Sequence, residues 1–293
     1  MREAMDLAGQ KSAQGRTMAL ESMCSGFLKK YIPEFLEDRR LTITDIVERA
    51  LKKGKSNEQI TAARLAVLLC LQLSNEEILK DLKSVFVTLM MDPSAPMKTR
   101  AAAASALGDC AFLVCQPEDY EPIIASLEKI FTEKSGANAP EDFYALQTSA
   151  LSAWTLIYTL LPPARALSSL EANLNLFENL LEAGNVDLRI ATGEAIVILF
   201  ESAFDHDDEQ ATDLVELLIP RLTELAKDCH KYRSKKDRKE QKSSFRDILK
   251  TVEEGEEFYE KVAFSKRETL EITSWAMKKQ YDQMCKVTII ASF

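Results

Sequence analysis

The sequence is poor in the residues from which most catalytic and metal sites are built. It has two histidines in 293 positions, His206 and His230, so a His-based site has almost no material. Nine glycines and nine prolines are too few for a loop-rich all-β fold. The two tryptophans, Trp154 and Trp275, are read as core residues. No apolar run approaches the roughly 18–20 residues of a membrane-spanning helix. The amino terminus has no charged-then-apolar leader, and no Asn-x-Ser/Thr acceptor occurs. Gly-x-Gly-x-x-Gly, Gly-x-Ser-x-Gly and His-Glu-x-x-His are all missing. Gly54-Lys55-Ser56 has the form of the end of a phosphate loop, but Arg49 stands where its first glycine belongs. These absences argue against an enzyme, against a cofactor and against a small-molecule substrate.

Cysteine gives no metal signal either. The six are Cys24, Cys70, Cys110, Cys115, Cys229 and Cys285, and no spacing among them fits a zinc site. They read as buried, reduced thiols of an intracellular protein. Lys and Arg number 37 against 46 Asp and Glu, a formal charge of −9, which excludes a generally basic surface. With 46% apolar and 28% charged residues the composition is that of a globular chain, long enough for a large core.

What the sequence does contain is a repeat. A long residue is followed, two and six positions on, by small ones leading into an apolar run. Arg100 precedes Ala102 and Ala106, and Arg189 precedes Ala191 and Ala195. Gln147 precedes Ser149 and Ala153, Ile60 precedes Ala62 and Ala66, and Arg16 with Met18 and Ser22 is a weaker copy. The first small positions are 18, 62, 102, 149 and 191, giving steps of 44, 40, 47 and 42 residues. Such steps belong to HEAT and armadillo units, each a helical hairpin or trio unable to bury its apolar face alone. Turn signals fall between the units at Pro93 with Pro96, Pro117 with Pro122, Gly136 with Pro140, Pro162-Pro163 and Gly184-Asn185. Independent four-helix bundles would give similar helices without the regular spacing. The expected fold is therefore an all-α, armadillo/HEAT-like, right-handed solenoid of five to six repeats. It is expected to form one helical-repeat domain over 1–285, with a divergent tail at 286–293.

A sixth copy is due near residue 233, and the chain there is basic. Residues 231–250 hold nine basic and three acidic residues, a surplus of six positive charges that leaves −15 for the rest. No Pro or Gly lies between Pro220 and Gly255, and Ser234 with Asp237 makes a capping start, so a helix is predicted through this segment. At 100° per residue Lys235, Lys239, Lys242 and Arg246 share one face, while Phe245, Ile248, Leu249 and Val252 form a separate apolar stripe. The candidate nucleic-acid or ribosome contacts are Lys231, Arg233, Lys235, Lys236, Arg238, Lys239, Lys242 and Arg246. The alternatives are a solvated charged face, a nuclear import signal at Lys235-Lys236 and Arg238-Lys239, or pairing with acids within the chain. Acids available for that pairing include Asp205, Asp207, Asp208 and Glu209, or Glu253, Glu254, Glu256 and Glu257.

Four stretches together resemble the interferon-related developmental regulator family. They are Leu36-Glu37-Asp38-Arg39-Arg40-Leu41-Thr42-Ile43-Thr44-Asp45 on to Leu51-Lys52-Lys53-Gly54-Lys55; Ala153-Trp154-Thr155-Leu156; Val186-Asp187-Leu188-Arg189-Ile190-Ala191 with Gly193-Glu194; and Lys231-Tyr232-Arg233 through Gln241-Lys242-Ser243-Ser244-Phe245-Arg246-Asp247-Ile248-Leu249. Trp275 with Tyr281-Asp282 extends the likeness. The resemblance implies an armadillo-type solenoid without catalytic activity, acting in the nucleus and cytoplasm. It implies protein partners such as histone-deacetylase corepressor or transcription-factor complexes, and in some members association with ribosomes. Two departures stand out. The last residues, Cys285 to Phe293, do not look like the basic C-terminal region of the family, and the family's low-complexity N-terminal lead is not seen.

Overall fold

The computed structural model describes residues 2–134, 139–227, 234–265 and 267–289. Among these are fifteen α-helices. They are α1 (Arg2–Leu7), α2 (Ala13–Lys29), α3 (Pro33–Glu37), α4 (Arg40–Lys53), α5 (Ser56–Leu73), α6 (Glu76–Met91), α7 (Met97–Val114) and α8 (Tyr120–Phe131). Then follow α9 (Glu141–Tyr158), α10 (Pro163–Leu181), α11 (Val186–Phe204), α12 (Asp208–Glu216), α13 (Ile219–Lys227), α14 (Lys235–Val252) and α15 (Trp275–Ile289). No described helix is long and apolar enough to cross a membrane.

The helix starts follow ordinary capping chemistry. Asn75, Asn185, Asp207 and Ser234 each accept a backbone N–H of the first turn they precede, at 2.9–3.1 Å. Pro33 and Pro163 open α3 and α10, where a missing N–H costs nothing. Gly54-Lys55-Ser56 is a turn between two helices, and the Ser56 hydroxyl lies 2.6 Å from that of Thr99. It is not a phosphate loop.

By Cα proximity the chain divides into two compact units, residues 1–157 with 283–293, and residues 158–282. In the first, α2 packs on α5 and α5 on α7, while α4 packs on α6. That is the layering of a helical solenoid, with inner helices stacked on inner and outer on outer. In the second unit α10 packs on α11, α11 on α14 and α13 on α14, continuing the same plan. Small residues allow the closest approaches. A Cβ on Gly108 of α7 would overlap the Ala153 side chain of α9 and lie 2.9 Å from Ala153 Cα. A Cβ on Gly193 of α11 would lie 2.8 Å from Ile248 Cδ1 and 2.9 Å from Phe245 Cε1 of α14.

The long polar residue that marks each repeat has a structural task. Arg16, fourth residue of α2, donates through Nη1 to Gln10 O and Lys11 O, both at 3.0 Å, just beyond α1. Its Nε and Nη2 reach Glu58 of α5 at 2.7 and 2.9 Å. Arg189, fourth in α11, repeats this fork: Nη1 to Ala183 O beyond α10, Nε and Nη2 to Gln241 of α14. Arg100, fourth in α7, donates to Met90 O at the end of α6 at 2.8 Å. Gln147 of α9 donates to Phe131 O and Glu133 O after α8, at 3.1 and 2.9 Å. Each such side chain satisfies carbonyls that the end of the preceding helix leaves without an intrahelical donor. In the second copy the residue with this role is Gln59, which donates to Leu51 O of α4 at 2.8 Å. It lies one position before Ile60, which carries no hydrogen-bonding side chain.

Among the described residues one element departs from helix. Strands β1 (Glu260–Ala263) and β2 (Thr269–Ile272) form an antiparallel hairpin, with Val262 opposite Leu270 and Glu260 opposite Ile272. Alternate side chains turn inward, and Ile272 is buried.

Candidate functional site

Helix α14 is where the sixth copy was due, and it is both an inner helix and a charged surface. Ser234 Oγ accepts from Asp237 N at 3.1 Å, the capping start read from the sequence. Gln241, Phe245, Ile248 and Val252 are buried. The three apolar side chains are each worth about 1.5–3 kcal/mol on burial. They pack on Gly193 and its neighbours in α11, so the row of cations must face elsewhere. Leu249, placed on the apolar stripe by spacing, lies at its edge and is half-buried.

Lys235, Lys236, Lys239, Arg246 and Lys250 are exposed, and Arg238 and Lys242 are half-buried. Lys231 and Arg233 lie outside the described residues. Among the described residues, none of Lys235, Lys236, Lys239 or Arg246 lies within ion-pair distance of a carboxylate; Lys250 pairs with Asp247 at 3.2 Å. The pairing with Asp205, Asp207, Asp208, Glu209 or the Glu253–Glu257 cluster is thus not made by these four. From Lys235 to Arg246 the helix rises about 16 Å, with Lys239 about 6 Å along it from Lys235 and about 10 Å from Arg246. Arg238 is set apart by its position beside the apolar stripe, with its Nε buried and without a hydrogen-bond partner.

The remaining candidates resolve into packing. Cys24, Cys70 and Cys110 are buried, Cys115 and Cys285 half-buried, and Cys229 and His230 lie outside the described residues. Burial pushes the Cys24 thiol up to about 12 and that of Cys115 to about 11. No group of three or more His, Cys, Asp and Glu side chains fit to hold a metal ion occurs among the described residues. Trp154 is buried edge-on to Phe131, with its indole N–H on Glu128 Oε1 at 3.0 Å.

Sequence reasoning missed a second constellation, where α11 meets the start of α15. Glu201 Oε1 accepts from Trp275 N at 3.1 Å and Oε2 from Ala276 N at 3.3 Å. Glu194 Oε2 accepts from Lys279 Nζ at 2.9 Å, and Lys279 is only 6% exposed. Burial is the main cause that raises the Glu201 carboxyl, aided by nearby Asp205 and Glu257 and opposed by the two N–H donors. The available signals were Glu194 and Glu201 at a seven-residue interval and Trp275 with Lys279 at four. Glu194 and Trp275 were read as parts of a family likeness, and Trp275 also as a core residue; Glu201 and Lys279 were not read at all.

Comparison with known proteins agrees with this architecture. An engineered protein superposes with a TM-score of 0.54 at 15% identity, over 86% of this chain and 98% of that one. A designed armadillo repeat protein gives 0.50 at 14%, over 84% and 98%. At such identities the likeness concerns the fold alone: an all-α solenoid of the armadillo type. Interferon-related developmental regulator 1 of Sus scrofa is 37% identical over 289 residues, covering 95% of this chain and 64% of its own. Interferon-related developmental regulator 2 of Mus musculus is 37% identical over 288 residues, covering 94% and 65%. The chain thus spans a little under two thirds of the length of these relatives. The sequence profile of the interferon-related developmental regulators matches residues 1–253. With that match added to the relatives and the repeats, the chain belongs to the interferon-related developmental regulator family.

Proposed function

We propose that this chain is a non-enzymatic helical-repeat scaffold that regulates gene expression as a transcriptional co-regulator, through protein partners. The observation that carries the reading is how its long polar residues are used. Arg16, Gln59, Arg100, Gln147, Arg189 and Gln241 tie helix ends and neighbouring repeats together. Their task is to build a rigid support for extended helical surfaces, the usual binding elements of solenoids. The relatives' name, developmental regulator, fits this role. Affinity purification of the tagged chain from nuclear extract, repeated at low and high salt, tests it. Subunits of a corepressor or transcription-factor complex retained at high salt are expected; their loss at both salts overturns the reading.

A second reading is favoured by Lys235, Lys239 and Arg246 on α14, which meet no carboxylate among the described residues: a ribosome- or RNA-associated regulator of translation that grips phosphate backbone. The step of about 6 Å from Lys235 to Lys239 is close to the spacing of successive phosphates on one strand. Triple reversal of Lys235, Lys239 and Arg246 to Glu would then abolish co-sedimentation with ribosomes at unchanged helicity. For RNA, each lost phosphate contact flattens the slope of log K against log salt by about 0.7–0.9. A wild-type chain that ignores ribosomes and RNA even at low salt rules this reading out.

A further inference from the structure

Two cations of α4, Arg49 and Lys53, stand four residues apart on one face of the helix, about 6 Å along its axis. Both are exposed, and neither makes a hydrogen bond or an ion pair among the described residues. The other two basic side chains of α4 are engaged: Arg40 lies 3.8 Å from Asp81, and Lys52 pairs with Glu48. Arg49 and Lys53 line a cavity of about 280 Å³ between α2 and α4, two helices that both pack on α5. The whole of it lies within the first unit.

The lining has two chemical parts. Leu20, Ile46 and Ala50 are buried and give it an apolar wall. Its one carboxylate among the described residues, Glu58, is 3% exposed and already taken, since its two oxygens accept from Arg16 Nε and Nη2 at 2.7 and 2.9 Å. With Arg16, Arg49 and Lys53 against Glu58, the cavity carries a surplus of two positive charges in a chain whose formal charge is −9. The charges left without a partner are therefore the exposed pair at its mouth. An occupant that satisfies both parts is apolar at its centre and anionic at its edges.

Size and spacing narrow the class. The volume falls just below the roughly 300–1,000 Å³ of sites for drug-sized molecules, and it admits one apolar side chain with its flanking backbone. Alternate residues of an extended peptide are about 6.6 Å apart, so acids on either side of an apolar residue match the step from Arg49 to Lys53. A phosphate backbone would match that step too, but would leave Leu20, Ile46 and Ala50 facing water.

We propose that this cavity is a docking pocket for an acidic segment of a partner protein. One apolar side chain enters against Leu20, Ile46 and Ala50, and the carboxylates flanking it pair with Arg49 and Lys53. Such a pocket presupposes the scaffold role proposed above and gives it a site and a partner chemistry.

Fluorescence anisotropy of the full chain with a fluorescein-labelled peptide, Gly-Ser-Glu-Leu-Asp-Ser-Gly, tests the pocket. Saturable binding is expected, weakening as salt rises because the ion pairs are exposed. Arg49→Ala/Lys53→Ala should weaken it at least tenfold, and so should a probe with glycine in place of its leucine. Both substituted positions are exposed, so the helical signal should stay at the wild-type level. Absence of saturable binding at about 1 mM probe overturns the proposal. An affinity unchanged in the double variant does the same. Indifference to the leucine also overturns it, since that would be diffuse attraction between charges. A single-stranded RNA oligomer is the rival ligand: if its affinity falls in the double variant while the peptide's does not, the two cations serve phosphate and the proposal is lost. Purified chain and synthetic probe keep this outcome separate from the retention of nuclear partners, which alone decides the scaffold role.

Discussion

Arg189 and Gln241, 52 residues apart in sequence, meet in the core of the second unit. One amide oxygen, Gln241 Oε1, accepts from Arg189 Nε at 3.0 Å and from Nη2 at 2.7 Å. The same amide donates from Nε2 to Leu225 O at 3.1 Å, so it joins α11, α13 and α14 at one point.

Because Arg189 is 1% exposed, removing that amide strips a buried cation of the one acceptor that takes two of its hydrogen bonds. Gln241→Leu is expected to cost about 3 kcal/mol. The double variant Arg189→Met/Gln241→Leu should recover much of the loss, since the uncompensated charge is gone. Urea unfolding of the four proteins in the cycle measures both numbers. A loss in the double variant equal to the sum of the two single losses would show that the guanidinium does not depend on Gln241.

The two glycines at close approaches should differ in their tolerance of a methyl group. At Gly108 the obstruction includes Ala153 Cα, which is backbone and cannot move alone. At Gly193 it is Ile248 Cδ1, the far end of a side chain, together with the Phe245 ring. Gly108→Ala is therefore expected to cost about 3 kcal/mol and Gly193→Ala about 1 kcal/mol, within the usual range for overpacking. Thermal unfolding of the two variants side by side ranks them.

The Glu201 carboxyl is raised in the folded chain, which fixes the sign of its pH effect. A folded value above the unfolded one means that its stabilising contribution is complete below the ordinary carboxyl range, near 4.5, and is lost as pH rises through the raised value. Glu201→Gln should abolish this slope. Stability of the wild type relative to the variant is expected to increase as pH is lowered toward 4.5, read by urea midpoints at a series of pH values. A difference that stays flat or falls with acidification contradicts the burial of this group.

Thiol chemistry gives an independent check on the packing. Burial holds Cys24 near 12 and Cys115 near 11, so at pH 8 little thiolate exists at either. Native-state alkylation at Cys24 should be undetectable, and at Cys115 roughly 100-fold slower than at a free thiol. In denaturant both should react at the same rate. Peptide mapping after timed iodoacetamide quenching reads each site.

The repeat was legible because it is written twice, in the small residues that let helices approach and in the long residue two positions before them. Arg100, Gln147 and Arg189 were picked out by spacing, yet what they hold was not, since the carbonyls they cap lie 6 to 16 residues away at positions any residue could occupy. Ile60 was chosen in place of Gln59 because the alanine register pointed one residue too far. On α14 the helix, its cap and the outward row of Lys235, Lys239 and Arg246 could be read from 100° steps, whereas half-burial of Arg238 and Lys242 depends on the surrounding packing. The hairpin at Glu260–Ala263 and Thr269–Ile272 went unread because four-residue alternation is a short signal. The clamp on Trp275 joins residues 74 positions apart, which no local pattern can announce.

The caps also set a ruler along the chain. Where the capped carbonyl lies 6 to 10 residues upstream, the capping side chain is fourth in its helix: Gln59, Arg100 and Arg189. Where it lies 16 upstream, the capping side chain is seventh: Gln147 and Gln241. Within this chain, connector length and cap position therefore vary together. An insertion after α4, α6 or α10 would carry the capping side chain away from its carbonyl unless that side chain also moved along its helix by about a turn.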